Sequence, residues 1–436
     1  MRKIRVGVMG AYRGSSMINY CAAADNAEVV AICDKWEEAL EKQKEAHKDL
    51  AITYYNNFED FIKHDMDAVV LANYAHEHAP FAIKAMKAGK HVYSEVVPVQ
   101  TLKEAVELVE TVEETGKIYD YGENYCYMAG PYEMKKLYHE GKIGEFEYGE
   151  CEYCHDGSRF WESITYGEPE HWRNRMYSTF YCTHSLGPII HATGLRPVSV
   201  IGVESNRNER RLKNGAKSAQ FGMEIVELEN GGIVKSLHGD MYRDSVWYSM
   251  YGSKGRMETA REDTMEPVFK DEASNQIYVN VDDYPEQYKL PNEVEKYCPM
   301  RDMDDKSKMF GHAGSDFYVM WNFIEKIKGN PQADIIDVYE ALDMFLPGMF
   351  AYRSILKGGI PVEIPNFRDK AVRELWRNDV ACTDPEIAGD MLLPTCKTGT
   401  PKIPMEVYEK VRQKWMIEKD SETGHANVAF SSGASK

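Results

Sequence analysis

The first 34 residues constrain the fold more than any other stretch of the chain. Ile4-Arg5-Val6-Gly7-Val8-Met9 reads as an apolar strand running into Gly10-Ala11-Tyr12-Arg13-Gly14-Ser15-Ser16. A helical pattern follows, and a second apolar strand, Val29-Val30-Ala31-Ile32-Cys33, ends on Asp34. Strand, glycine turn, helix, strand and acid is the order needed to hold a dinucleotide. The glycines let backbone approach a pyrophosphate, the helix N-terminus offers free N–H groups, and the acid accepts from a ribose hydroxyl. Asp34 lies about 24 residues past Gly10, against roughly 20 expected. An acid there repels a 2′-phosphate, so the expected cofactor is NAD rather than NADP. The turn is degenerate: a strict G-x-G-x-x-G from Gly10 needs glycine where Tyr12 and Ser15 stand.

At 436 residues the chain exceeds one typical domain. Apolar residues make up 43% of it, enough for packed cores, and no run approaches the roughly 18 needed to span a membrane. The first strand begins within three residues of Met1, so no secretory leader is expected. Nine scattered cysteines, an odd number, argue against a disulfide framework and for a reducing cytoplasm. A net charge of −18 disfavours nucleic acid or an anionic membrane as partner and suits a small neutral or cationic ligand.

Up to about residue 125, strand and helix alternate. Strands are expected at 4–9, 29–33, 51–54, 67–72, 91–93 and 118–121, and helices at 14–24, 36–47, 58–63, 78–88 and 102–115. That alternation predicts a doubly wound parallel α/β sheet, with ligands at the carboxyl ends of its strands. Beyond Asn124 the strands lengthen and alternate: Phe146 to Tyr153, Val198 to Val203, Phe221 to Leu228, Ile233 to His238 and Trp247 to Tyr251. They predict an α+β domain with a large, open, mostly antiparallel sheet, one face covered and one available. Helices are expected at 131–139, 184–193, 314–328, 336–357 and 404–417. The expected divisions are 1–125 for cofactor binding, 126–365 for substrate binding and oligomerisation, and 366–436 as an arm whose polar end, 419–436, frays.

Further stretches carry a resemblance. Leu71-Ala72-Asn73-Tyr74-Ala75-His76-Glu77-His78 looks like a loop crossing a cofactor, and Gly89-Lys90-His91-Val92-Tyr93-Ser94-Glu95-Val96-Val97-Pro98 resembles the "GKHV-x-x-EKP" strand of the Gfo/Idh/MocA family. That family pairs an N-terminal NAD(P) domain with a C-terminal open-sheet domain. One departure matters: the family's proton-handling lysine after Glu95 is Val96 here. The branch lacking it includes the NAD-dependent glycosidases of glycoside hydrolase family 109. Glu123-Asn124-Tyr125-Cys126-Tyr127, Glu152-Tyr153-Cys154-His155-Asp156, His171-Trp172-Arg173, Tyr181-Cys182-Thr183-His184-Ser185 and Gly311-His312-Ala313-Gly314-Ser315-Asp316-Phe317 are similar to that branch. Cys182 stands for a proline, and Ser185 and Ala313 for glycines.

The resemblance implies roles residue by residue. Tyr153, Tyr181 and His184 fall on catalytic positions. Gly10, Tyr12, Arg13, Gly14, Ser15, Asp34, Asn73, His76, His78, Glu95 and Asn124 fall on cofactor positions, with Trp172 and Arg173 near the nicotinamide. Tyr125, His155, Asp156 and Thr183 fall on substrate positions. The implied chemistry is oxidation of a sugar ring hydroxyl, at C3, by bound NAD. His184 is the natural base because imidazole titrates near neutral pH, and Tyr181 donates to the forming carbonyl or relays the proton. A C3 ketone acidifies the C2 proton, so Tyr153 as a second base would expel the C1 substituent, although a phenol with pKa near 10 needs a lowered value. Water then adds at C1 and the ketone is reduced again. No paired carboxylates are required.

Two readings compete: a 3-dehydrogenase that releases a 3-keto glycoside, and a non-catalytic sugar or NAD sensor. No metal is expected. Cys151-Glu152-Tyr153-Cys154 is a lone CxxC on a strand, and His312 with Asp316, read as i,i+4 on a helix, suits capping or core packing better. The family analogy also implies a homodimer or homotetramer through the open sheet.

Overall fold

The computed structural model describes residues 2–242, 244–259, 277–281, 295–297, 304–307, 310–312 and 314–420. Ala313 and the tail beyond 420 lie outside them. The chain divides into two compact units, Met1–Tyr127 with Met303–Leu342 and Asn366–Val380, and Met128–Asp302 with Asp343–Pro365 and Ala381–Lys436.

The first unit is built on six parallel strands: β1 (Ile4–Met9), β2 (Ala27–Cys33), β3 (Thr53–Tyr55), β4 (Ala68–Leu71), β5 (His91–Ser94) and β6 (Tyr119–Tyr121), in the order β3-β2-β1-β4-β5-β6. β1 pairs on both sides, Val8 with Ile32 and with Val70. The strand order therefore reverses at β1, and the crevice that opens at such a point is where doubly wound sheets hold ligands. All four residues of β4 are buried, which explains its unbroken apolar run. The helix Leu102–Thr115 occupies its expected bounds. Thr101 Oγ1 accepts from the Glu104 amide and Glu104 accepts from the Thr101 amide, a capping box worth about 1 kcal/mol. Gly116, left-handed at φ 61, ends the helix.

The division differs from the sequence boundaries: residues 303–342 and 366–380 join the first unit. Hydrogen bonds and packing explain why. The Tyr121 amide donates to the Ile336 carbonyl at 2.9 Å, and the Ile336 amide donates to Asp120 Oδ1 at 3.1 Å. Phe317 on the helix Ser315–Ile327 meets the Tyr20 ring edge-on at 5.3 Å.

The second unit carries β7 (Phe146–Cys154), β8 (Pro197–Glu204), β9 (Phe221–Leu228), β10 (Ile233–Gly239), β11 (Ser245–Gly252), β12 (Gly255–Thr259), β13 (Ile277–Val281), β14 (Glu295–Tyr297) and β15 (Val362–Glu363). Their order is β14-β13-β12-β11-β7-β10-β9-β8-β15, antiparallel except between β7 and β10, which run parallel. The helix Thr183–Thr193 packs against β7, β10 and β11.

Pro188 lies inside that helix. Having no N–H, it cannot donate to the carbonyl four residues back, that of His184. The Tyr248 hydroxyl donates to that carbonyl instead, at 2.5 Å.

Candidate functional site

The first unit gathers eleven of the residues assigned to the cofactor. Gly10 adopts φ +99, and a Cβ there would stand 2.3 Å from the Ala72 carbonyl oxygen. Only glycine lets β1 turn so close to the end of β4. A Cβ on Gly14 would meet the Gly10 oxygen, also at 2.3 Å. The helix Ser15–Ala23 starts at once, with no side-chain cap and no acid in its first turn, a start that suits an anion, although the Ser15 amide already donates to the Tyr12 carbonyl at 3.3 Å. Asp34 Oδ2 accepts from the Ala11 amide at 2.7 Å and Oδ1 from the Trp36 amide at 2.9 Å. Burial raises its pKa, against those bonds. The Tyr12 and Trp36 rings lie 6.1 Å apart beside it.

Beyond β4, the Asn73 amide group donates to Glu77 Oε2 at 3.0 Å, and the Tyr74 and His76 rings lie 5.9 Å apart. His78 is buried with Nδ1 3.0 Å from the Val97 carbonyl and Nε2 3.3 Å from that of Asn73. Burial lowers its pKa to about 4, so the neutral ring pins this loop to the Val96-Val97 segment after β5. Glu95 pairs with Arg13 at 2.7 Å. Asn124 donates to Asp316 at 3.0 Å, and the buried Tyr125 ring lies 6.4 Å from that of His312. His312 does not belong to the helix that carries Asp316. It precedes it at φ 54 and turns Nδ1 onto that carboxylate at 3.1 Å.

The second unit gathers the catalytic assignments. Tyr153 sits near the end of β7, and the first turn of helix Thr183–Thr193 supplies His184. Their ring centroids are 4.8 Å apart. Tyr181, on the approach to that helix, lies 5.0 Å from His184. Trp172 stacks on Tyr181 at 6.4 Å and 21°, and the Arg173 guanidinium lies 4.4 Å from the Trp172 ring. Trp172 and Arg173 thus belong to the second unit. His155 Nδ1 lies 2.8 Å from Asp244, and its ring meets Tyr153 edge-on at 5.7 Å.

The structure gives the Asp156 carboxylate to the protein itself. It accepts from Arg210 at 2.7 Å and from the Ser158 amide at 3.3 Å. Thr183 is fully buried. The departures at 182 and 185 are filled locally. Cys182 Sγ lies 3.5 Å from the Met344 carbonyl, and the Ser185 and Ser236 hydroxyls pair at 2.8 Å.

Sequence reasoning missed His238. Parallel pairing of β7 with β10 sets it opposite Tyr153, and the two rings stack at 5.6 Å and 11°. Burial lowers its pKa to about 3, so the ring is neutral, with Nδ1 3.1 Å from the Ser178 carbonyl. The signal existed only as a histidine ending an alternating strand. Cys151 and Cys154 are buried free thiols. Among the described residues no group of three or more His, Cys, Asp or Glu side chains could hold a metal ion, and no helix is long and apolar enough to cross a membrane.

Residues 4–123 match the oxidoreductase family with an NAD-binding Rossmann fold, and residues 242–374 match the C-terminal domain of glycosyl hydrolase 109. The N-terminal part of the chain is thus similar to the Gfo/Idh/MocA oxidoreductases, and its C-terminal part to glycosyl hydrolase 109. The protein is an enzyme, and its cofactor is NAD. The glycine turn, the bare helix start and Asp34 fit that cofactor.

Similar proteins include a glycosyl hydrolase family 109 protein of Solibacter usitatus, 28% identical over 84% of this chain and 88% of the relative. An alpha-N-acetylgalactosaminidase of Tannerella forsythia is 27% identical over 84% of this chain and 86% of its own. The WlbA dehydrogenase of Bordetella pertussis, solved with NADH and UDP-GlcNAcA, shares the fold. Its TM-score is 0.63 at 20% identity, covering 84% of this chain and 98% of that one.

Proposed function

We propose that this protein is a glycosidase that keeps its NAD bound through each cycle, its net reaction being hydrolysis of a glycoside. The observation that carries the reading is the ring cluster of Tyr153, Tyr181 and His184, drawn from two separate stretches into contact distances of 4.8 and 5.0 Å. Bound NAD supplies the acceptance and return of a hydride at a sugar ring carbon. His184 takes the proton of the C3 hydroxyl, and Tyr181 donates to the oxygen that becomes a carbonyl. Tyr153 takes the C2 proton as the C1 substituent leaves, and stacking on the neutral His238 fixes the plane of its ring. Tyr248, bonded to the His184 carbonyl, holds the backbone of the base. Val96, where relatives in the wider family carry lysine, leaves proton handling to this cluster. The names of the relatives in the glycosyl hydrolase 109 branch point the same way.

The test uses purified protein with no added cofactor, a panel of nitrophenyl α- and β-glycosides, and absorbance at 340 nm. The expected result is aglycone release over many turnovers without net NADH, abolished by His184→Ala. NADH rising in proportion to added NAD, with the glycosidic bond intact, would make the protein a sugar dehydrogenase and overturn the reading.

A further inference from the structure

We infer that Asp316 is a positioning residue for NAD, tying the glycine turn to the ends of β5 and β6. It lies 303 residues from Arg13 in sequence, in the first turn of helix Ser315–Ile327, and its side chain is wholly buried. Arg13, in the glycine turn, donates to it from Nη1 at 3.2 Å and from Nη2 at 3.3 Å. Arg13 Nη2 also bonds Glu95, just past β5, at 2.7 Å. Asn124, just past β6, donates to the same Asp316 carboxylate at 3.0 Å. Two segments assigned to the cofactor thus meet on one acid, and a third, at Glu95, reaches it through Arg13.

That convergence has a physical consequence. An arginine in a glycine turn would otherwise be drawn to phosphate oxygens, because guanidinium and phosphate match as a fork. Here the fork closes on two buried carboxylates, which makes Arg13 a brace. A buried carboxylate is tolerated only when paired and hydrogen-bonded. Burial opposes its charge, yet Arg13 and His312 hold Asp316 well below the usual carboxylate range. In this strand order β1 and β2 serve one mononucleotide half of the cofactor, and β4 to β6 serve the other. Asp316 therefore fixes the nicotinamide half relative to the glycine turn.

The inference rests on NAD as cofactor and not on the glycosidase reading, so its test contains no glycoside. NADH affinity is read by fluorescence titration and ADP affinity by competition, on the full chain freed of bound nucleotide. Asp316→Asn should weaken NADH by about 10- to 100-fold, the loss of charged hydrogen bonds, and ADP by less than about threefold. Arg13→Met should reproduce that split, and the double variant should be no worse than either single. Asn124→Ala, which leaves every charge in place, should show a smaller split in the same direction and serves if Asp316→Asn does not fold. Equal losses for NADH and ADP would make the cluster merely structural, and unchanged NADH affinity would remove it from the cofactor site. Either overturns the inference.

Discussion

Glu224 offers the sharpest test of the packing in the second unit. It lies on β9, opposite Ser236 of β10, with only 1% of its surface exposed and neither carboxyl oxygen hydrogen-bonded. Burial raises its pKa from 4.5 to about 8. Below pH 4.5 the acid is protonated whether the chain is folded or not, and it takes nothing from stability. Between 4.5 and 8 only the folded protein keeps the proton, so stability falls by about 1.4 kcal/mol per pH unit. At pH 7 the deficit is roughly 3 kcal/mol, and it levels off above pH 8 at roughly 5 kcal/mol. Glu224→Gln keeps the shape without the titration. It should leave stability at pH 4.5 nearly unchanged and raise it by roughly 2–3 kcal/mol at pH 7. For a domain of this size that is about 5–10 °C in Tm. The assay is thermal unfolding followed by near-ultraviolet circular dichroism from pH 4.5 to 9. If the curves of variant and wild type run parallel across that range, Glu224 is not the neutral buried acid described, and the reasoning fails.

Three further outcomes are expected. Gly10→Ala should weaken NADH binding at least about tenfold, because its Cβ would stand 2.3 Å from the Ala72 oxygen at φ +99. Gly116→Ala, also left-handed but with open space around it, should lose only about 1 kcal/mol of stability and leave NADH affinity unchanged by fluorescence titration. Tyr248→Phe should remove about 1–3 kcal/mol of stability, since Pro188 offers the His184 carbonyl no replacement donor. Adding Pro188→Ala supplies an N–H at that point and should recover most of the loss in urea unfolding. A Tyr248→Phe effect equally large in both backgrounds would refute that account.

The first unit was legible because each of its elements is specified locally. β4 is an unbroken apolar run, and the helix Leu102–Thr115 carries its own cap at Thr101 and its own stop at Gly116. The Tyr181-to-His184 pair was legible for the same reason, lying within one short stretch. What escaped is long-range. The pattern of residues 315–327 says that one face is buried but not against which sheet, and Phe317 proves to meet Tyr20 of the first unit. His238 joins Tyr153 only through the parallel β7–β10 pair, which no turn signal announces. Asp316 read as half of an i,i+4 pair, whereas His312 lies ahead of the helix in a left-handed conformation. Its partners Arg13 and Asn124 come from distant segments that local spacing cannot relate.

Charge ties these observations together. A chain of net charge −18 binds an anionic dinucleotide beside three acids, Asp34, Glu95 and Asp316. Simple repulsion would forbid that unless each acid were answered within the protein. Asp34 is answered by the amides of Ala11 and Trp36, and Glu95 and Asp316 by Arg13. The position after Glu95 is apolar and nearly buried at Val96, so no lysine stands there to neutralise the carboxylate. The cation comes from the glycine turn instead. With Val96 after Glu95, charge balance at that carboxylate and at Asp316 rests on the one guanidinium of Arg13.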